Sequence, residues 1–446
     1  MGDIDAIFKA YDVRGLAPEQ LDADLAHNIG ASFARFVADN DGATSIAVGY
    51  DMRPTGPEFA KRFAQGVMDQ GLDVVDIGLA STDMMYFASG SLDMPGAIFT
   101  ASHNPAEYNG IKMCRRGAAP LGADTGLNEI RDNARELLAP VESPGSTTEQ
   151  ALLEAFAQHV LSFIDVSALT PLKIVADTAN GMGGLVVPAV FAHLPFELEI
   201  MYEELDGTFP NHPADPLNEA NLVDLKARVA EVGADIGLAF DGDADRVFLV
   251  DANSDGVSGS LTTALVAQGV LRNEPGATIL HNLICSKTVP EVIAENGGTA
   301  VRTQVGHSYI KAIMADTGAA FGGEHSGHYY FRDNWRADSG LIATVVILQA
   351  MCAAAKPLHE LVSPLRRYVA SGEINTTVDD TSVVIDKVAA AYPDAEQDRF
   401  DGLTVDMGEW WFNLRPSNTE PLLRLNLEAG SQDEVDARVA EVKSHF

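Results

Sequence analysis

The sequence predicts an α/β protein of four domains: three strand-helix units followed by a smaller C-terminal region. Three observations carry this. Short apolar strands alternate with amphipathic helices to about residue 367, the pattern of sheets with helices on their faces. At 446 residues the chain exceeds what one core serves and suits about three domains. From about Val369 the pattern changes to shorter strands and one terminal helix at residues 433–443. The boundaries fall at 1–148, 149–252, 253–367 and 368–446.

In the first unit, residues 7–15 (IFKAYDVRG) end in a tight turn that presents Arg14, either a surface charge or a phosphate fork. Helices follow at 21–39 and 59–70, and strands at 45–51 and 73–77. A further strand, Ala97-Ile98-Phe99, runs into the turn TASHNP, and Asn109-Gly110 marks a second turn before Ile111 and Lys112. A loop at a sheet edge is where ligands sit in α/β folds. This one carries the hydroxyl of Ser102 and the imidazole of His103, with the ammonium of Lys112 a short way on. It reads as a nucleophilic or phosphate-carrying serine among basic groups. The competing reading is an Asn-Pro turn with an incidental histidine. A stretch rich in Pro, Ser, Gly and Thr at 140–148 reads as a linker.

The second unit opens with a helix at 150–164 and a strand at 173–177. The cluster Asn180-Gly181-Met182-Gly183-Gly184 is a weak phosphate signal and reads better as a tight strand-to-helix turn. Apolar strands at 234–240 and 247–251 then flank DGDADR. Asp241, Asp243 and Asp245, at alternate positions on one short loop, can aim their oxygens at one centre, where without a cation they repel. Oxygen-only ligands with few protein donors suit Mg²⁺. A calcium EF-hand fits poorly, because it needs glycine at the sixth position, where Arg246 stands, and flanking helices in place of strands. An acidic hairpin turn is the alternative, although it does not explain Arg246 at its end.

The third unit has strands at 278–282 and 300–305, followed by Lys287 and His307 respectively. Its loop FGGEHSGH presents Glu324 and Ser326, which suit sugar hydroxyls, with a structural turn as the competing reading. The apolar stretch 341–355 reads as a buried helix opened by Asp338 or Ser339, too short to span a bilayer. In the C-terminal region, WFNLRPSNTEP gathers Arg415, Ser417, Asn418 and Thr419 in one turn, a set that can bind a dianionic phosphate.

Composition narrows the partners. Thirty basic against 64 acidic residues give a net charge of −34, which argues against nucleic acid and anionic membranes. The three cysteines, Cys114, Cys285 and Cys352, are too few and scattered for a disulfide framework or a zinc site. The acidic start lacks the features of a signal peptide, so a cytoplasmic location is expected.

Four loops, TASHNP, DGDADR, GGEHSGH and RPSNTEP, occur in that order, one per unit. Together they resemble the α-D-phosphohexomutase family over essentially the whole chain. FKAYDVRG, FPNHPADPLNEANL and FRDNWRADSG resemble its bacterial phosphomannomutase/phosphoglucomutase branch. The resemblance implies three similar α/β/α sandwich domains and a fourth of TATA-binding-protein-like α+β fold around a central cleft. It implies that Ser102 is the phosphoserine and, with Asp241, Asp243 and Asp245, holds Mg²⁺. Glu324 and Ser326 then meet sugar hydroxyls, and Arg415, Ser417, Asn418 and Thr419 bind the distal phosphate. Arg14, His103, Lys112, Arg246, Lys287 and His307 match basic active-site positions. Lys112, His103 and His307 are the candidate general acid/base groups, and the resemblance favours Lys112 with His307. The implied reaction interconverts hexose 1-phosphate and hexose 6-phosphate, mannose or glucose, through a hexose 1,6-bisphosphate. A phosphoglucosamine mutase is the nearest alternative, and a phosphoserine-type sugar phosphatase or a non-catalytic sugar-phosphate sensor the alternatives of another class. His325 stands where related enzymes often carry Met or Gln.

Overall fold

The computed structural model describes residues 4–416 and 422–446. Parallel strands covered on both faces are apolar throughout, which places Ser45–Tyr50 mid-sheet with Ile46, Ala47, Val48 and Gly49 buried. It pairs in parallel with Gly96–Phe99 on one side and Asp73–Leu79 on the other. The first sheet runs Val13–Leu16, Tyr108–Arg115, Gly96–Phe99, Ser45–Tyr50, Asp73–Leu79, Thr147–Glu149. The last of these, expected as part of a linker, is an edge strand parallel to Asp73–Leu79.

Two further local expectations are corrected. Arg14 is not presented by a turn: the chain bends at residues 10–12, and Arg14 lies in the strand Val13–Leu16, opposite Gly110. Asn109-Gly110 likewise lies inside the strand Tyr108–Arg115. A Cβ on Gly110 would stand 2.3 Å from the Val13 carbonyl oxygen and 2.8 Å from that of Thr100. Glycine here lets three backbones pass, and that need has the same sequence signature as a turn.

The second sheet, Gly256–Val257, Val247–Asp251, Ile236–Phe240, Lys173–Asp177, Glu197–Met201, is parallel across its last three strands and ends in an antiparallel hairpin. The third runs Thr299–Thr303, Thr278–Asn282, Phe321–Gly323, Tyr329–Phe331. The C-terminal sheet of Val369–Thr377, Leu422–Ala429, Trp411–Pro416, Leu403–Asp406 and Glu396–Asp398 is wholly antiparallel, accompanied by the helices Thr381–Ala391 and Gln432–Lys443.

One apolar core runs through the first three units, joining Phe87, Phe156, Val186, Leu249 and Ile279 to the helix Gly340–Ala354. That helix is capped by Ser339, whose hydroxyl accepts the Ile342 N–H, a bond worth about 1 kcal/mol. Asp338, the other expected cap, pairs instead with Lys311 at 3.1 Å. The C-terminal domain has its own core around Val388, Phe412 and Leu425. Cys114, Cys285 and Cys352 are free thiols. Among the described residues no single helix is long and apolar enough to cross a membrane.

Candidate active site

The strand Gly96–Phe99 ends at the Ser102 loop, and Ile236–Phe240 ends at Asp241. The two loops meet backbone to backbone. A Cβ on Gly242 would stand 2.3 Å from the Ser102 carbonyl oxygen, so only glycine permits the approach. Ser102 holds a left-handed φ of 50°, a conformation costing about 1–2 kcal/mol for a residue with a Cβ. Its hydroxyl donates to Asp241 Oδ2 at 2.8 Å and lies 3.3 Å from His103 Nδ1.

Cations close in from both units. Lys112 Nζ donates to Asp243 Oδ2 and Asp245 Oδ2, each at 2.7 Å. Arg246 donates from Nε to Asp241 Oδ2 at 2.8 Å and from Nη2 to His103 Nδ1 at 2.6 Å. Arg14 donates to Asn104 Oδ1 at 2.7 Å and pairs with Asp12, which places it beside the serine loop. Thr82, at the start of the helix Thr82–Ser91, donates its hydroxyl to Asp243 Oδ2 at 2.5 Å.

Asp241, Asp243 and Asp245 are buried, with ligand oxygens all within 4.8 Å of one another. Among the described residues these three carboxylates meet two cations in direct contact, Lys112 and Arg246. Burial pushes Asp241 up to about 8, with Arg246 opposing and the other two carboxylates adding to the rise. Burial acts to raise Asp243 as well, but Lys112 and Thr82 reverse the sign and hold it well below the usual carboxylate range. The pairing likewise overcomes burial at Lys112, whose ammonium is held well above its ordinary value. His103 moves the other way: Arg246 and then burial lower it to about 2, so the ring is neutral and its Nδ1 accepts from Arg246. Asp243 Oδ1 and Asp245 Oδ1 are buried without a hydrogen-bond donor among the described residues. An all-oxygen set of three carboxylates, with two oxygens lacking donors, fits a hard divalent cation such as Mg²⁺, which would hold all three ionised.

The loop 324–328 turns between Phe321–Gly323 and Tyr329–Phe331 and links this centre to a large cleft. Its His328 Nε2 lies 3.9 Å from Asp245 Oδ1, and His328 Nδ1 lies 3.0 Å from Ser326 Oγ. Glu324 is buried and accepts the Tyr330 hydroxyl at 2.8 Å, leaving its Oε1 with longer contacts to Asn282 and the Gly306 N–H. His325 and Ser326 line a cavity of about 1380 Å³ whose far wall carries Arg415 and Arg424. Burial, then Arg415 and His328, lower His325 to about 3, so it meets the cleft as a neutral ring. Arg415 Nη2 donates to Glu373 Oε2 at 3.1 Å. Lys287 is turned to the C-terminal domain instead, its ammonium on Asp406 Oδ1 at 2.7 Å and the Gly408 carbonyl at 3.0 Å. Ser417, Asn418 and Thr419 lie outside the described residues, as does the side chain of His307.

Comparison with known proteins settles the family. Models of the phosphoglucomutase/phosphomannomutase domains match in order: α/β/α domain I over residues 5–139, II over 153–256, III over 258–368 and the C-terminal domain over 373–445. The chain belongs to the phosphoglucomutase/phosphomannomutase family. It is 38% identical over 443 residues to "Phosphohexose mutases" of Xanthomonas campestris pv. campestris (strain B100), covering 98% of each chain. It is 39% identical to the phosphomannomutase of Salmonella montevideo, covering 98% of this chain and 97% of the relative. A crystal structure of a phosphoglucomutase/phosphomannomutase family protein from Burkholderia thailandensis superposes with a TM-score of 0.90 at 32% identity, covering 100% of this chain and 97% of that one. The protein is therefore a mutase, an isomerase, of the phosphohexomutase kind. Within that family frame, two side chains at the centre escaped sequence reasoning. Thr82 lies at an ordinary helix start with no motif around it. His328 belongs to the GGEHSGH loop, where Glu324 and Ser326 drew the reading because sugar hydroxyls were the expected partners.

Proposed function

We propose that this phosphohexomutase interconverts the 1- and 6-phosphates of mannose and glucose through a phosphoserine at Ser102. The observation that carries the reading is the Ser102 hydroxyl on Asp241, at the edge of three buried carboxylates and ringed by Lys112, Arg246 and Arg14. Phosphoserine gives its phosphoryl group to the free O1 or O6 of a hexose monophosphate: the Ser Oγ–P bond breaks and a sugar O–P bond forms. The resulting 1,6-bisphosphate turns end for end and returns its other phosphate to Ser102. Such transfer needs alignment and charge neutralisation above all. Mg²⁺, which Asp241, Asp243, Asp245 and the Ser102 oxygen would hold, supplies positive charge next to the phosphoryl oxygens. Arg246 adds a fixed cation at the same place.

Lys112 keeps its proton while Asp243 and Asp245 hold it, and a cation taking those carboxylates would weaken that hold and suit it to donate to the oxygen that leaves phosphorus. His103 is a poor base, because its lowered pKa keeps it neutral and Arg246 takes its Nδ1. His307 is the proposed partner of Lys112 in proton transfer. Glu324 and Ser326 take O3 and O4 of the sugar, which exchange places when the ring turns over. Arg415, with Ser417, Asn418 and Thr419, takes the distal phosphate, and Arg14 steadies the serine loop. Lys287 joins the phosphate contacts only by leaving Asp406. With Ser102 only 4% exposed, transfer to a bound sugar is favoured over transfer to water, which supports a mutase above a phosphatase.

A site that reads O3 and O4 discriminates weakly at C2, the one centre where mannose and glucose differ. Galactose inverts C4 and leaves a buried polar partner unpaired, a loss of about 1–3 kcal/mol. The test incubates the protein and Mg²⁺ with each 1-phosphate and follows the 6-phosphate and inorganic phosphate. Comparable mannose and glucose 6-phosphate and little free phosphate is the expected result. Free phosphate as the main product would establish the phosphatase, and no turnover the sensor.

A further inference from the structure

We infer that Arg53 is a positioning residue for phosphoryl transfer, its guanidinium fixing the backbone that aims the Ser102 hydroxyl. The inference rests on Ser102 as the phosphoryl carrier. Arg53 Nη2 donates to the carbonyl oxygens of Ser102 at 2.9 Å and Asn104 at 2.7 Å. Its Nη1 donates to those of Pro105 at 2.8 Å and Tyr108 at 2.9 Å. Four carbonyls from a seven-residue loop therefore converge on one side chain, which is 0% exposed. Behind it, Asp51 Oδ2 lies 3.4 Å from Nε, and Asp51 Oδ1 accepts the Arg53 N–H at 2.9 Å. The ring of Phe209, from the second unit, lies 5.2 Å from the guanidinium carbon. Thr100 adds a second tether on the same loop: its hydroxyl oxygen accepts the Ser102 N–H at 3.0 Å. The C=O of Ser102 is thus held by Arg53 and its N–H by Thr100.

The chemistry explains why this position holds arginine. Carbonyls that converge in a buried loop need donors spread in a plane, which a five-donor guanidinium supplies and a lysine point charge does not. Ser102 also holds a left-handed backbone that is unfavourable for a residue with a Cβ, so an untethered loop relaxes. Because Gly242 packs directly against the Ser102 carbonyl, relaxation shifts the hydroxyl relative to Asp241. The guanidinium of Arg53 also acts on Asp243 through space, but all four of its hydrogen bonds go to loop carbonyls and none to an aspartate or to the Ser102 hydroxyl, so its positioning effect passes through the backbone.

The test compares wild type, Arg53→Lys, Arg53→Ala and Ser102→Ala by melting temperature, by kcat and KM with mannose 1-phosphate, and by intact-mass single-turnover phosphorylation from glucose 1,6-bisphosphate. Misalignment by about 1 Å predicts that both Arg53 variants lose about 100-fold in kcat and in phosphorylation rate per folded molecule. KM stays within about threefold, because Arg415 and the Glu324 loop are untouched. Added guanidinium at non-denaturing concentration restores at least about tenfold of the lost rate to Arg53→Ala. Arg53→Lys within about threefold of wild type, or loss that tracks the folded fraction without rescue, overturns the inference. Wild type that takes no phosphate, with Ser102→Ala still active, overturns the phosphoserine reading instead.

Discussion

The Ser102–aspartate end and the Arg415–Lys287 end of the molecule both carry buried or half-buried cations, but they hold them differently. At the serine end, Lys112 and Arg246 are bound to carboxylates that are themselves 0–2% exposed. The units that supply them share one apolar core. At the other end, Arg415 rests on a part-exposed Glu373 and Lys287 on a part-exposed Asp406. The C-terminal domain keeps a separate core and meets the third unit through polar contacts: Lys287 with Asp406, Arg302 with Asp398, and Gln304 with the Phe400 carbonyl. Alignment of a phosphoryl group calls for partners that cannot move, which burial enforces. Capture and release of a phosphate calls for partners that can be exchanged, which half-solvated ion pairs allow, since each is worth only about 0–1 kcal/mol.

The largest expected break of this comparison is Ser102→Ala. Turnover should fall more than about a thousandfold, and a protein that carries part of its molecules as a phosphoprotein should lose that mass increment. Near-normal turnover without the hydroxyl would move the chemistry elsewhere.

Asp83 probes the rigidity of the same end through pH. It is fully buried behind the acidic loop, where it accepts from the Ser81 and Ser339 hydroxyls, and burial raises it from 3.8 to about 7 despite those bonds. Between those two values the unfolded chain has lost this proton while the folded chain keeps it. Stability therefore falls as pH rises through the window, by up to about 1.4 kcal/mol per unit. Asp83→Asn should remove that slope and stand about 2–4 kcal/mol above wild type by pH 8, read from denaturant unfolding at pH 5 and pH 8. A parallel pH dependence in both proteins would mean that the carboxyl is ionised throughout.

Asp243→Asn takes one charge from the trio and one partner from Lys112. Calorimetric titration should show Mg²⁺ affinity down by about tenfold or more, with turnover down about 100-fold and a lower melting temperature, because Lys112 loses a buried ion-pair partner. An unchanged titration would make the trio an acidic hairpin. The smallest effect is expected at the exchangeable end. Arg415→Ala should raise KM by about ten- to a hundredfold while kcat stays within about threefold, the signature of lost uniform binding. Equal losses in kcat and kcat/KM would show that Arg415 also aligns the reacting group, and the contrast between the two ends would narrow.

Local pattern alone determined the strand-helix alternation, the DGDADR carboxylates at one-residue intervals, and the serine loop after an apolar strand. Each of these is written in spacings of a few residues, which covalent geometry converts directly into direction. Only the tertiary structure decided that Arg14 and Gly110 lie in paired strands, that Lys112 falls between Asp243 and Asp245, 131 and 133 residues on, and that Thr82 and His328 join them. It also decided that Arg53 gathers the carbonyls of a loop about 50 residues away, a role with no motif of its own. Which cation meets which carboxylate is set by how separate sheets pack, and an arginine destined for a buried loop looks the same in sequence as one destined for the surface.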